Sequence, residues 1–306
     1  MSIVGTVVGG RYEVLGRLGR GGQGDLFTAR CVVTDDEVAL KFLPERDFQS
    51  TTYYQEEYRD KICDEFRNTH SLAGIAGIPR AIDLVECDDR DFIVMELIHG
   101  QTLRKTMDSR RPSSQWEAAT TIAQLCAILG EVHSRALVHC DVKPANIMIE
   151  PGGRVRLLDL GMATEDGKSL EFPGGTTGYS PPEQFVNGGI LTCRSDIFAL
   201  GCVMLEMVTM QLPYGGKRVT AKNGNAVLPA ARLEKVPSGL RDLAMRMVAL
   251  EPADRPADMR EVREALDLVM SAPDAPEHSK MTQYDTVAFY RLRSAPSEGC
   301  PADGLG

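Results

Sequence analysis

The stretch HCDVKPANIMIEPGGRVRLLDLG, residues 139–161, sets two apolar runs, NIMIE and VRLLDL, on either side of Pro151-Gly152-Gly153-Arg154. Short β-branched runs around a Pro/Gly turn predict a β-hairpin. With Gly152 and Gly153 as a two-residue turn, Asn146 falls opposite Asp159. A carboxylate and an amide oxygen then meet at one end of the hairpin, and these are donors that a hard cation such as Mg²⁺ takes. Asp141 and Lys143 lie in the loop just before it. An Asp or Asn alone reads as a turn cap. Two aspartates, an asparagine and a lysine in so short a run read better as a reaction centre.

Upstream, VALKFL (38–43) reads as a strand. Ala39 and Lys41 share one side of it, and Val38, Leu40 and Phe42 take the other, which has the character of a core face. A small alanine leaves room for a flat ring. The lysine beside it reaches phosphates if the strand runs under the hairpin LGRGGQGDLF (18–27), whose glycines Gly19, Gly21 and Gly24 let backbone N–H groups approach an anion. Each feature alone has a plainer reading, a surface lysine or a tight turn. A dinucleotide fingerprint would require a helix next, whereas LFTARCV reads as a strand.

The 306 residues exceed one small core and suit one large or two packed sub-domains. A net charge of −9 argues against nucleic acid as a main ligand. Eight cysteines without a C-x-x-C pair predict reduced thiols in a cytoplasmic protein. No signal or lipidation pattern stands at either end. The most apolar stretch, Ile197–Met210, is too short to span a membrane and contains Glu206, so it reads as a core helix.

The first hundred residues predict strands at RYEVLGRL, DLFTARCV, EVALKFL, AIDLVEC and DFIVMEL. One helix interrupts them, with Tyr58, Ile62, Phe66 and Thr69 at helical spacing and Gly74 as its stop. Beyond residue 100 helices dominate. Ser114 and Glu117 have capping-box spacing, ahead of a face of Ile122, Leu125, Cys126, Leu129, Val132 and His133. SDIFALGCVMLEMVTM, SGLRDLAMRMVAL and ADMREVREALDLVM follow, the last two split by EPADRP. Residues 273–306 lose periodicity and gain proline, which predicts a flexible tail, within which YDTVAFYRLR pairs as a strand or docks.

LGRGGQGDLF, VALK, HCDVKPAN, DLG, GTTGYSPPE, SDIFALG and EPADRP stand in the order and at the separations of one family. Over about residues 11 to 270 the chain resembles the eukaryotic-like (Hanks-type) serine/threonine protein kinases of bacterial type. The resemblance implies an α+β, two-lobed protein-kinase fold: a small, mainly antiparallel β lobe with one helix (12–97) and a larger, mainly helical lobe (98–272). Residues 1–11 are then a leader and 273–306 a flexible tail. It also implies ATP with Mg²⁺, or Mn²⁺ in its place, and a protein serine or threonine as acceptor.

The resemblance assigns roles residue by residue. Lys41 holds the α- and β-phosphates and pairs with Glu65, Glu56 and Glu57 being weaker matches. Asp141 orients or deprotonates the acceptor hydroxyl, Lys143 steadies the γ-phosphate, and Thr176 bonds both. Asn146 and Asp159 hold the metal. Leu18, Gly19, Arg20, Gly21, Gly22, Gln23, Gly24 and Asp25 form the loop over the nucleotide. Adenine stacks between Leu18, Leu26 and Ala39 above and Met148 below, with Met95 as gatekeeper and backbone bonds at Glu96 and Ile98. Glu183 pairs with Arg255, and Asp196 ties its helix to the catalytic loop. Lys143-Pro144 after Asp141 favours serine/threonine over tyrosine as acceptor.

Two rival readings share part of this pattern. Small-molecule phosphotransferases of the aminoglycoside or choline kinase type use a similar His-x-Asp loop but lack the peptide-binding GTTGYSPPE, SDIFALG and EPADRP elements. A pseudokinase acting as an interaction module usually lacks the lysine, the catalytic Asp or the metal Asp, whereas matches to all of these, Lys41, Asp141 and Asp159, stand here together with Asn146. Three positions depart from the family: Leu160 replaces a phenylalanine, Pro181 an alanine, and Cys140 the arginine that receives an activation-loop phosphate. With Cys140 there, activity is expected to depend little on phosphorylation of that loop. Redox control by Cys140 is disfavoured because Asp141 beside it opposes the thiolate.

Overall fold

The computed structural model describes residues 3–21, 24–42, 52–86, 90–108, 112–215, 228–270 and 284–294. Gly22, Gln23, the side chains of Arg20, Glu56, Glu57 and Tyr58, and tail residues 273–283 and 295–306 lie outside the description.

A six-stranded antiparallel sheet forms the small lobe: β1 (Val7–Val8), β2 (Tyr12–Gly21), β3 (Gly24–Cys31), β4 (Glu37–Phe42), β5 (Ala81–Val85) and β6 (Phe92–Glu96). Their spatial order is β1-β2-β3-β4-β6-β5. One helix, α1 (Thr52–Ser71), enters between β4 and β5. The alternation in VALKFL acts as expected. Val38, Leu40 and Phe42 join Tyr12, Val14, Phe27, Phe92 and Val94 in a core on one face. On the opposite face Ala39 pairs with Thr28 and Met95, and Lys41 pairs with Leu26. Cross-strand partners share a face, so these residues form one surface.

The expected leader is partly structural. β1 adds an edge strand to β2, with Gly5 N donating to Val14 O at 2.8 Å and Val14 N to Thr6 O at 2.9 Å.

The large lobe opens with β7 (Gln101–Thr102) and α2 (Leu103–Met107), followed by α3 (Gln115–Ser134). Ser114 caps α3 in a full capping box with Glu117, which satisfies two of the N–H groups a helix start leaves open. Four short strands come next: β8 (Leu137–Val138), β9 (Ile147–Ile149), β10 (Val155–Leu157) and β11 (Thr164–Glu165). Then follow α4 (Cys193–Thr209), α5 (Ala230–Leu233), α6 (Ser238–Met247) and α7 (Met259–Met270). The core of this lobe joins Ile122, Leu125, Leu129 and Val132 of α3 to Ile197, Leu200, Val203 and Met204 of α4, with α6 and α7 closing around them. No helix among the described residues is long and apolar enough to cross a membrane.

Two expectations need correction. The hairpin is out of the expected register by one residue, since Ile149 pairs with Val155 and Ile147 with Leu157. Glu150 N donates to Arg154 O at 2.9 Å, so Pro151-Gly152-Gly153 forms a three-residue loop, with Gly152 at φ 94° and Gly153 at φ 87°. Asn146 therefore faces Leu158, whose N–H donates to its carbonyl at 2.7 Å.

The tail is also ordered in part. Residues Thr286–Ser294 form a helix, α8, so of the two alternatives for this segment it docks and does not pair as a strand. Asp285 caps it by accepting from Val287 N and Ala288 N at 3.0 Å. Thr286 is buried, 3.0 Å from Thr120 of α3, and the Arg263 guanidinium lies 5.0 Å from the Tyr290 ring centroid.

Gly153 makes that docking possible, because a Cβ there would sit 1.9 Å from the Asp285 carbonyl oxygen, whereas one at Gly152 would meet nothing within 4 Å. Both glycines have positive φ, so an alanine at either costs about 1 kcal/mol or more of backbone strain. Only Gly153→Ala is expected to release α8. Limited trypsin digestion should then cut at Arg291 and Arg293 in Gly153→Ala but leave them protected in Gly152→Ala. Equal protection in both would show that α8 does not depend on this approach.

Candidate active site

The HCD stretch is held by contacts within the chain. Asp196, in the first turn of α4, is fully buried and accepts from His139 N at 2.8 Å, Cys140 N at 2.9 Å and the His133 ring at 2.8 Å. Burial pushes the Asp196 carboxyl up, but the hydrogen bond and charge of His133 and the neighbouring His139 outweigh it and hold it below its ordinary value. Gln184 donates to the Cys140 carbonyl at 2.8 Å. With both peptide groups clamped, Cys140 adopts φ 64°, a left-handed conformation that costs a side-chain-bearing residue about 1–2 kcal/mol. The bend presents Asp141.

Asp141 is buried and bound on both oxygens. Oδ1 accepts from Thr176 Oγ1 at 2.7 Å, and Oδ2 from Lys143 Nζ at 2.7 Å and Asn146 Nδ2 at 2.9 Å. Lys143 Nζ also donates to Thr176 Oγ1 at 3.0 Å. One carboxylate, one ammonium and one hydroxyl thus form a closed triangle.

The second group centres on Lys41. Its Nζ lies 2.5 Å from Glu65 Oε1 and 2.8 Å from Asp159 Oδ1. Burial pushes the ammonium down, yet the two carboxylates raise it to about 12. Burial likewise pushes the Asp159 carboxyl up, and the Lys41 charge and hydrogen bond bring it net below its ordinary value. Asp159 has φ 68°, outside the hairpin ladder, which turns its side chain toward the lysine despite the changed register. Gly161 follows closely, and a Cβ there would lie 3.0 Å from Glu65 Oε2.

Among the described residues, neither Asp159 Oδ2 nor the Asn146 side-chain oxygen has a hydrogen-bond partner. Both are hard oxygen donors, and neither is a buried orphan. The pair fits Mg²⁺, which keeps several waters and takes only one or two protein oxygens.

The nucleotide-loop residues divide. Gly19 pairs with Leu26, Arg20 with Asp25 and Gly21 with Gly24, so the glycine run forms the tip of the β2–β3 hairpin above Lys41. Leu26, Ala39 and Met95 share the Lys41 face, and Met148 on β9 is half-buried in the lobe below. Leu18 is exposed, and Ile98 follows Glu96 at the junction of the lobes. The Asp25 side chain is different. It shares the opposite face with Phe27, and its carboxylate pairs with Arg17 and, at 3.6 Å, with Arg90. The Asp25 side chain thus points away from the Lys41 face, and its backbone stays in the loop paired with Arg20.

Other groups carried no local sequence signal. Arg104 donates to both oxygens of Glu206, at 3.0 and 2.8 Å, and to the Tyr179 hydroxyl at 2.5 Å, while Tyr179 bonds Glu206 as well. This cluster anchors the turn in which Tyr179 N donates to Thr176 O at 3.1 Å. Its members lie up to 102 positions apart, so no motif spacing could have joined them. Thr28, by contrast, does carry a local signal, since the period of β3 puts it beside Leu26 on the lysine face.

A curled antiparallel lobe above a helical one, with a lysine–glutamate–aspartate cluster facing an aspartate–lysine–threonine triangle, defines the protein-kinase fold. The chain belongs to the protein kinase family: the family model described as protein kinase domain matches residues 12–267. It is 30% identical over 264 residues to the serine/threonine-protein kinase PrkC of Bacillus subtilis, covering 83% of this chain and 39% of that protein. It is 29% identical over 287 residues to PknB of Mycobacterium tuberculosis, covering 87% and 44%. Against pkn3 of Myxococcus xanthus it is 28% identical over 289 residues, covering 87% and 51%. The chain thus spans about half or less of the length of these relatives.

Proposed function

We propose that the protein transfers the γ-phosphoryl group of ATP to the hydroxyl of serine or threonine in a protein substrate, in the cytoplasm. The observation that carries this reading is the pairing of two complete groups: Lys41 bound to both Glu65 and Asp159, and Asp141 bound to Lys143, Thr176 and Asn146. Lys41 is then poised for the α- and β-phosphates and Lys143 for the γ-phosphate. Asp141 receives the acceptor proton as the hydroxyl oxygen bonds to the γ-phosphorus and the bridging oxygen leaves with ADP. Asn146 and Asp159 would hold Mg²⁺, which neutralises charge on the transferring group. Six cysteines among the described residues are free thiols, which suits a reducing compartment. The experiment that tests the reading is transfer of label from γ-labelled ATP with Mg²⁺ to protein serine or threonine.

The same reading includes independence from activation-loop phosphorylation. Cys140 sits with Val138 and Leu191 in a small apolar cluster, against which Met162 and Leu170 pack. Burial and the nearby Asp196 push its thiol well above the ordinary value, which suits packing and not redox chemistry. The segment above it is held by backbone pairing: Leu170 N donates to Gly189 O at 2.9 Å, Gly188 N to Leu170 O at 3.0 Å and Gly167 N to Leu191 O at 2.8 Å. Apolar packing and a backbone ladder supply what a phosphate–arginine contact would otherwise supply. Replacing Ser169 and Thr177 together by alanine should therefore leave at least about half the activity, well short of the tenfold loss that removal of 1.4 kcal/mol would cause. A loss of tenfold or more would refute this part.

A further inference from the structure

Arg156 lies in the middle of β10 between Val155 and Leu157, with its side chain 5% exposed. Its Nη2 is 3.0 Å from Glu96 Oε1 and 3.5 Å from the Ile78 carbonyl oxygen, and its Nη1 is 3.4 Å from Glu150 Oε1. The Nε is buried without a hydrogen-bond partner. A buried guanidinium with one N–H unpaired is costly, and an apolar side chain on such a strand would cost less. Where a sequence breaks a packing rule in a well-formed core, the reason is sought in function.

The partners explain the place. Ile78 lies in the loop after α1, and Leu157 N donates to Gly77 O of that loop at 2.8 Å. Glu96 is the last residue of β6, where the small lobe passes into the large one. Its other carboxylate oxygen accepts from Arg80 N at 3.1 Å, and its own N–H donates to Arg80 O at 2.9 Å. Glu150 follows β9 in the large lobe. Arg156 thus reaches from the large lobe into the seam and fixes the rotamer of a residue whose backbone lies at the edge of the adenine pocket.

We infer that Arg156 is a positioning residue for the nucleotide: by gripping the Glu96 carboxylate from below, it sets the Glu96–Ile98 backbone at the height the adenine ring requires, without touching the ring. This rests on the proposed ATP site. A staple serving only stability would lower the melting temperature and leave the affinity of the folded protein for ATP unchanged. A positioning residue changes ATP affinity selectively, because misplaced hinge groups weaken adenine binding and leave the phosphate and acceptor groups in place.

The test is isothermal titration of the full chain with Mg²⁺ and ATP for wild type, Arg156→Met, Arg156→Lys, Glu96→Gln and the Arg156→Met/Glu96→Gln double variant. Autophosphorylation at saturating ATP is measured alongside. Arg156→Met should weaken ATP binding about tenfold, and Arg156→Lys, which keeps a cation against Glu96, only about twofold. The double variant should be no weaker than Arg156→Met, since both changes remove one contact. For Arg156→Met the rate at saturating ATP should stay within about twofold of wild type. Unchanged ATP affinity in Arg156→Met, or effects that multiply in the double variant, would overturn the inference. Absence of ATP binding by the wild type would instead overturn the proposed function, and this inference with it.

Discussion

Asp141→Asn is expected to lower the rate of phosphoryl transfer by about 10²–10⁴-fold, the range a positioned general base contributes, with little change in ATP affinity. The geometry sets both halves of this expectation. Asp141 is 2% exposed and contacts Thr176, Lys143 and Asn146, none of which belongs to the small lobe. An asparagine is isosteric but turns one acceptor oxygen into a donor, facing either the Lys143 ammonium or the Thr176 hydroxyl. The triangle that fixes the acceptor side then opens, and no carboxylate remains to take the hydroxyl proton. Lys41, Glu65 and Asp159, proposed for the nucleotide side, keep their ion pairs. Single-turnover rates beside ATP titrations separate the two. A variant that transfers phosphate at the wild-type rate would remove Asp141 from catalysis, and one that loses ATP binding in proportion would make its role structural.

Glu183→Ala is expected to destabilise the protein by about 3–5 kcal/mol, the cost of stripping one partner from a buried ion pair. The Arg255 side chain is 0% exposed, and its two terminal nitrogens bind the two Glu183 oxygens at 2.7 and 3.0 Å. Three carbonyls, those of Arg194, Ala249 and Leu250, take its other donors at 2.8–2.9 Å, and the guanidinium lies 4.8 Å from the Phe198 ring centroid. Without Glu183 the guanidinium keeps those contacts but loses its counter-charge. Glu183 also accepts from Ser195 Oγ at 3.0 Å, so the segment carrying Thr176 would loosen from α4. Urea unfolding of the variant beside Arg255→Met/Glu183→Ala gives the check. The double variant should recover part of the loss, because no unpaired charge is left behind. A loss below about 1 kcal/mol in Glu183→Ala, the range of an exposed pair, would contradict this view.

Local pattern carried much of this site. The period of VALKFL placed Ala39 and Lys41 on one face without reference to any partner strand, and the Ser114/Glu117 spacing placed the start of α3. The hairpin was legible as a hairpin but not in register, because loop length decides register and Pro151-Gly152-Gly153 closes with three residues where two had been expected. Asp159 reaches Lys41 through its positive φ, which a non-glycine residue does not announce. Asp25 was placed by its neighbours in the chain, although strand alternation puts its side chain on the core face with Arg17. The Arg104–Tyr179–Glu206 cluster and the docking of α8 depend on contacts between distant parts of the chain, to which composition and spacing are blind.

The most direct test of the proposed activity is incubation of the purified chain with γ-labelled ATP and Mg²⁺, beside Lys41→Met and Asp141→Asn, followed by identification of the labelled amino acid. Label on serine or threonine of protein in the wild type, and its loss in both variants, is the expected result. Equal label in all three, label in none, or label that appears only on a small alcohol would contradict a protein serine/threonine kinase.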